Sequence, residues 1–400
     1  MTQEQIYHNI AQRTGGDIYL GVVGPVRSGK STFIKRFAEL MLLPRIKNEA
    51  RRARAHDELP QSAAGRTIMT TEPKFIPEKA VKIDLSGGGS FKARLIDCVG
   101  YMVDGALGHE ENEAPRLVKS PWFDHEVPFD LAAETGTRCV IREHATIGLV
   151  VTTDGSVADL PREAYLDAER RIIAELNDSG KPYVILLNCA EPDSDDARRL
   201  ATELAERYAH AVVPLNCTTM TVETLDSLLQ TLLYEFPIRE IAVRMPGWVT
   251  MLESGHWLQS AIYTAMLEFA ASVHKMADLA GRRPQLGCEY ITSASLTGMD
   301  LASGSVGINA VVAPDIFYKI LGEQTGLDIV DEASLLPCVV SLARAKRAYD
   351  KIKSALDQVE ATGYGIVMPG IDELTLEEPE IVRQGGQYGV RLSASAPSLH

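Results

Sequence analysis

The stretch GPVRSGKST, Gly24 to Thr32, holds the densest chemistry in the chain. From Gly24 to Ser31 it satisfies GxxxxGK[ST], the pattern of a phosphate-binding loop. Gly24 and Gly29 let the backbone turn tightly and aim its N–H groups at phosphate. Lys30 reaches the β and γ oxygens of a nucleoside triphosphate, and the Ser31 hydroxyl can ligate Mg²⁺. The candidate nucleotide-binding residues are therefore Gly24, Pro25, Val26, Arg27, Ser28, Gly29, Lys30, Ser31 and Thr32. Further on, Asp97-Cys98-Val99-Gly100 reads as DxxG, in which Asp97 would hold Mg²⁺ through water and the Gly100 N–H would meet the γ-phosphate. Between the two lies AAGRTIMTTEPKF, where Thr70 and Thr71, with Thr67 a weaker third, are candidates to ligate Mg²⁺ and sense the γ-phosphate. The expected catalytic set is Lys30, Thr70, Thr71 and Asp97, and the expected metal ligands are Ser31, Thr70 and Asp97. Each fragment has a plain structural alternative: a chance glycine loop, a Thr-rich edge strand, a strand that happens to end in Asp. Their order along one chain, with a strand before the loop and a helix after it, favours the phosphate chemistry.

A base reader would lie at YVILLNCAEPD, where a strand runs out at Asn188. A guanine reader needs Asn-Lys-x-Asp there. Its Asp accepts two hydrogen bonds from the base, its Lys covers the ring and its Asn supports the loop. This chain keeps Asn188 but follows it with Cys189, Ala190 and Glu191. Cysteine cannot cover a base as lysine does, and Glu191 holds its carboxylate one methylene too far out. The expectation is ATP bound at least as well as GTP, with ATP the substrate. Tyr101 follows DxxG where many GTPases have a water-positioning Gln, so an isolated copy should hydrolyse slowly. Assembly could then supply a missing group, with Arg51, Arg52 or Arg54 as candidates.

The elements that must position these residues are legible from periodicity. Asp17–Val23 reads as a strand entering the loop and Ser31–Met41 as the helix leaving it. Val81, Ile83 and Leu85 alternate with polar residues, Ser86–Ser90 is a glycine turn, and Ala93, Leu95 and Asp97 continue a β-hairpin. Strands follow at Thr146–Thr152, Tyr183–Leu187 and Ala211–Leu215. Across 161–178, Tyr165, Ala168, Ile172, Ile173 and Leu176 share one helical face. The fold class expected is α/β: a P-loop NTPase of the GTPase-like kind, with a mostly parallel sheet and one antiparallel hairpin strand, followed by a smaller α/β (α+β) domain. The boundary falls at Phe236-Pro237, giving domains 1–236 and 237–400. In the second, Arg239–Met245, Ile308–Val312 and Tyr388–Ala394 read as strands. Heptad-like stripes over Trp257–Ala280 and Leu342–Glu360 read as two helices packed on a sheet. EPEIVRQGGQYGVRL reads as a hairpin, and no catalytic constellation occurs there. Two insertions stand out. Arg45–Arg54 is basic, and Tyr101–Ala145 is a long acidic connection read as a contact surface.

Composition narrows the partners. The chain has 400 residues and a net charge of −14, with 45% hydrophobic and 24% charged residues. That fits a soluble globular protein of two to three domains and argues against general affinity for nucleic acid or anionic lipid. No run of roughly 18 apolar residues occurs, so no membrane span is expected. The polar N-terminus lacks a signal-peptide core. Scattered cysteines and histidines without ligand spacing point to reduced thiols in a cytoplasmic protein and to no structural zinc.

Three stretches, RTGGDIYLGVVGPVRSGKSTFIKRF, DELPQSAAGRTIMTTEPKFIPEKAV and LIDCVGYMVDGALGHE, together resemble the stage IV sporulation protein A family. The likeness extends to ATGYGIVMPG and the final VRLSASAPSLH, and so covers essentially the whole chain. The resemblance implies a GTPase-like fold that uses ATP. It also implies self-assembly into a static polymer, the basement layer of the spore coat, on the outer forespore surface in the mother-cell cytoplasm. It assigns Lys30 and Ser31 to the P-loop, Thr70 and Thr71 to the sensor-threonine position and Asp97 to the Mg²⁺ side. The partners implied are further copies of the chain, other spore coat proteins and a small amphipathic membrane-bound sporulation peptide. Family members continue past the point where this chain ends, and the peptide is expected to dock on that further region. Two rival readings are a non-enzymatic scaffold with a vestigial site and a translation-type GTPase. The full Lys, Ser, Thr and Asp set argues against the first; the negative charge and the absent Asn-Lys-x-Asp argue against the second.

Overall fold

The apolar runs assemble into one six-stranded sheet in the computed structural model, which describes all residues except 61–72, 85–89, 104, 106–109, 112–113, 158–159, 368–373 and 397–400. Its strands are β1 (Asp17–Val23), β2 (Lys74–Asp84), β3 (Ser90–Asp97), β4 (Ile147–Thr153), β5 (Tyr183–Asn188) and β6 (Val212–Leu215), in spatial order β6-β5-β4-β1-β3-β2. Every pairing is parallel except β2 with β3. This is the mostly parallel sheet with one antiparallel hairpin strand that the sequence predicts. β4 and β5 are buried along their whole length, as unbroken Val/Ile/Leu runs must be when helices cover both faces. Register aligns the strand ends. Val22 lies opposite Asp97, Val23 opposite Val150, and Asn188 opposite both Thr153 and Leu215. The carboxyl ends of five strands therefore share one edge, where open α/β sheets place their ligands.

Helices fill the connections, with three departures from the sequence expectation. The polar N-terminus forms α1 (Gln3–Arg13), held by a Thr2/Gln5 capping box and burying Ile6, Tyr7 and Ile10. The helix after the P-loop, α2 (Lys30–Phe37), passes into a wider π turn at Ala38–Leu42 before Pro44. Residues 101–145 are not one long loop. They contain α4 (Phe129–Cys139), which follows α3 (Glu49–Asp57) in the chain and serves as the crossover into β4. Its buried face is Phe129, Ala132, Ala133, Gly136 and Thr137. Small side chains and weak helix formers hide that periodicity in sequence. The remaining helices are α5 (Leu166–Ser179), which buries Ala168, Ile172, Ile173 and Leu176 as its stripe predicts, α6 (Asp195–Tyr208) and α7 (Val222–Tyr234).

Past Pro237 a three-stranded sheet forms from β7 (Glu240–Arg244), β8 (Ile291–Asp300) and β9 (Ser305–Val312), in order β7-β9-β8. The helix expected over Trp257–Ala280 is shorter: α8 spans Trp257–Ser272, and Val273 is extended at φ −118°, ψ 125°. Tertiary pairing overrides the stripe. The Ile238 N–H donates to the His274 carbonyl at 2.9 Å and the Met276 N–H to the Phe236 carbonyl at 3.0 Å. Beside this pairing, the buried Glu235 carboxylate accepts from His210 and Lys275, both at 2.7 Å. Contacts group Met1–Val311 as one compact unit and Val312–His400 as another. The second contains α9 (Pro314–Thr325), α10 (Glu332–Thr362) and the hairpin β10 (Glu380–Gln384)/β11 (Gln387–Arg391). The heptad-like stripe on α10 is not a core face. Leu342, Tyr349, Ile352, Leu356 and Val359 stay 37–50% exposed, and the helix's buried residue is Ala355. Among the described residues no helix is long and apolar enough to cross a membrane.

Candidate functional site

The loop between β1 and α2 wraps the carboxyl edge of the sheet and is pinned from several sides. The Val26 N–H donates to the Tyr101 carbonyl at 2.9 Å, and Pro25 bridges to Tyr101 in parallel fashion. The backbone that follows DxxG thus steadies the P-loop, while the Tyr101 ring is buried among apolar side chains at 1% exposure. From the other side Asn188 Nδ2 donates to the Ser28 carbonyl at 3.0 Å, and its Oδ1 accepts from the Cys217 N–H at 3.1 Å. The strand end flagged as a possible base reader thus braces the loop from below. Gly29, at φ 104°, is needed at this contact, because a Cβ there would lie 2.2 Å from Asn188 Nδ2.

Lys30 opens α2 and is 5% exposed. Its ammonium donates to the carbonyls of Pro25 at 2.7 Å and Gly24 at 3.2 Å. Burial pulls its pKa below the ordinary lysine value, with Cys98 and Asp97 acting the other way. Gly100 lies against the same group: a Cβ on it would fall 2.1 Å from the Gly24 carbonyl oxygen and 2.6 Å from Lys30 Nζ, at φ 92°. Gly100 thus abuts Lys30, and Asp97, at the end of β3, is near enough for the two charges to act on each other. Burial raises the Asp97 carboxyl to about 6, while Lys30, Lys74 and the Cys98 N–H pull it down. Asp97 Oδ1 is buried and has no hydrogen-bond partner among the described residues. An orphaned carboxylate oxygen fits a cation or a cation's bound water, and it and the exposed Ser31 are both hard-oxygen side chains of the type Mg²⁺ prefers. Thr67, Thr70 and Thr71 lie outside the described residues.

Two loops without a motif of their own, after β4 and β6, join the loop after β5 to complete the edge. After β4, Ser156 Oγ donates to Asp154 Oδ1 at 2.6 Å and accepts from the Ala190 N–H at 2.9 Å. After β6, Asn216 Nδ2 donates to the Ala190 carbonyl at 3.1 Å. The loops following β4, β5 and β6 are therefore tied into one rim. The available signal was positional: each begins where an apolar strand ends. Cys189 is fully buried, its Sγ at 3.6 Å from the Leu187 carbonyl, so it presents nothing over a base. Glu191 is exposed. The arginines at 51, 52 and 54 on α3 are all exposed: Arg54 pairs with Glu58 at 3.3 Å and Glu78 at 2.9 Å, and Arg52 with Glu49 at 4.0 Å.

The family model described as "Stage IV sporulation protein A, ATPase domain" matches residues 1–237, and the one for the middle domain of the same protein matches 238–400. The chain belongs to the stage IV sporulation protein A family. It is 46% identical over 402 residues to the stage IV sporulation protein A of Bacillus subtilis (strain 168), an alignment covering 100% of this chain and 82% of that protein. The counterpart from Clostridioides difficile (strain 630) is 44% identical over 396 residues, covering 99% and 81%. That of Bacillus anthracis is 44% identical over 401 residues, covering 100% and 82%. The P-loop edge described above thus lies inside the family's ATPase domain.

Removing the brace should weaken the site from behind. Asn188→Ala leaves the Ser28 carbonyl and the Cys217 N–H without that partner, a loss of about 1–3 kcal/mol in stability. The loosened loop should also bind nucleotide roughly tenfold less tightly, since part of the binding energy then goes into ordering it. Thermal melting and a nucleotide titration check both; wild-type values in both would contradict the bracing role.

Proposed function

We propose that this chain hydrolyses ATP to ADP and phosphate at the Gly24–Thr32 loop. That cycle drives self-assembly into the basement layer of the spore coat, on the outer forespore surface in the mother-cell cytoplasm. The observation that carries the reading is the close approach of Gly100 to Lys30 at the P-loop, with the unpartnered Asp97 carboxylate oxygen at the end of β3, within residues matched by the ATPase-domain family model. In this reading the loop's N–H groups and the first turn of α2 cradle the phosphates. Lys30 exchanges its carbonyl partners for β and γ oxygens, the Gly100 N–H meets the γ-phosphate, and Thr70 and Thr71 report its presence. Ser31, Thr70 and Asp97 would hold Mg²⁺, which when bound neutralises charge developing on the phosphates. The buried Cys189 leaves the base without the cover that guanine readers use, which supports ATP as substrate. Residues 1–236 act as the catalytic domain, and 237–400 form the domain that follows it. The partners are further copies, other coat proteins and an amphipathic membrane-bound peptide.

The buried Tyr101 ring cannot orient an attacking water as Gln does, so assembly must complete the site. Phosphate release per copy should therefore rise with protein concentration and track sedimentable polymer. Specific activity that stays flat across the assembly threshold would contradict this coupling.

A further inference from the structure

Arg27 occupies the crest of the P-loop in a conformation that arginine rarely adopts. Its φ is 66°, and the other non-glycine residue with positive φ among the described residues, Ala209, sits in the left-handed cap that ends α6. Arg27 ends no helix. The backbone on either side of it is fixed, by the Val26 N–H to the Tyr101 carbonyl and by the Ser28 carbonyl to Asn188 Nδ2. The surroundings therefore impose a conformation that glycine or asparagine would take more readily. Pro25, Val26 and Ser28 are buried around it, whereas Arg27 is only half-buried. Its guanidinium makes no hydrogen bond, ion pair or ring contact among the described residues. Other arginines near the sheet are committed: Arg162 to Glu169 at 2.7 Å, Arg54 to two carboxylates, and Arg94 over the Phe75 ring at 4.1 Å. A strained arginine with no partner among the described residues, on a loop shaped to bind anions, lacks a structural reason there to be arginine.

We propose that Arg27 is a further catalytic residue: its guanidinium contacts the phosphates in the chain's own site and stabilises the transition state of hydrolysis. This rests on the ATPase reading above. In the step concerned, a water oxygen forms a bond to the γ-phosphorus. The bond from that phosphorus to the β–γ bridging oxygen breaks, and its electron pair stays on ADP. One water proton is carried off on inorganic phosphate or to solvent. Negative charge grows on the bridging and γ oxygens as the bond breaks. A planar five-donor cation reached from the loop itself meets that charge without help from a second copy. What assembly adds is then the ordering of the attacking water, and the exposed Arg51 and Arg52 are not required.

Arg27→Gly is the informative variant, since glycine relieves the backbone at φ 66° and the fold should melt no lower than wild type. Affinity for ATP should change by less than about threefold, while phosphate release slows by about 10³-fold and affinity for ADP with aluminium fluoride falls by a similar factor. Arg27→Lys should recover only a small part, because an ammonium cannot reproduce the bidentate fork. Mixing Arg27→Gly with Lys30→Ala, which keeps the arginine but not the nucleotide, should restore nothing. Wild-type hydrolysis by Arg27→Gly, unchanged affinity for the fluoride complex, or recovery of activity in the mixture would each overturn the assignment. A wild-type protein that releases no phosphate would instead overturn the ATPase reading itself.

Discussion

Lys30→Ala should bind ATP about 10²–10³-fold more weakly than wild type while keeping its fold. The lost contacts are charge-assisted bonds from one ammonium to two phosphates, each worth about 1.5–3 kcal/mol. The fold survives because the group lies at the head of α2 and its hydrogen bonds among the described residues are the two to the Gly24 and Pro25 carbonyls. Removing it also removes a charge whose burial is unfavourable, as the downward displacement of its pKa indicates. Titration with a fluorescent ATP analogue, alongside a thermal melt, separates the two effects. Wild-type affinity would contradict the assignment of the loop, and a collapsed melt would show a structural role that the contacts do not support.

The second large effect is expected at Asp97. Asp97→Asn keeps the shape of the side chain and should still bind nucleotide, but on the proposed role of Asp97 in holding Mg²⁺ hydrolysis should fall by about 10²-fold or more, because the neutral amide would no longer offer the cation an anionic anchor. The variant should not unfold, and the pKa gives the sign. The folded value of about 6 lies above the 3.8 of an unperturbed carboxyl, so between those values the native state binds the proton that the unfolded chain has released. Stability therefore falls as pH rises from about 4 to about 6, and the burial penalty is fully present above that window. At neutral pH and without nucleotide, Asp97→Asn should melt at least as high as wild type, with the gap closing as the pH drops toward 4. A lower melting temperature at pH 7 would mean that the carboxylate has a stabilising partner.

How much of this the sequence disclosed depended on the size of the side chains involved. Gly24–Ser31, the β2–β3 hairpin and the strands over 147–153 and 183–188 were readable because their apolar runs are long and bounded by turn residues. α4 was not, since Ala132, Ala133 and Gly136 give a buried face little hydrophobic contrast. Val273 was misread as helical because the backbone bonds that extend its neighbourhood come from Phe236 and Ile238, remote in sequence. At the site, residue types pointed to Lys30 and Asp97, but not to the roles of backbone groups. The Tyr101 carbonyl that holds Val26 and the Cys217 N–H that holds Asn188 leave no mark on side-chain identity. Asn188 itself was marked by type and placed under the loop by structure. The left-handed φ of Arg27 was invisible because that backbone state usually announces itself with glycine.

The most direct test of an ATPase built on this edge is competition for labelled ATP by unlabelled ATP and GTP, with phosphate release followed from each. A site that keeps Asn188 as a brace, buries Cys189 and leaves Glu191 exposed lacks the buried edge-specific pairing that rejects the wrong analogue by about 10⁴-fold. ATP should therefore compete at least as well as GTP and be hydrolysed, with only modest discrimination between them. GTP displacing labelled ATP a hundredfold more effectively than ATP itself, on the order of 3 kcal/mol of preference for guanine, would contradict the account.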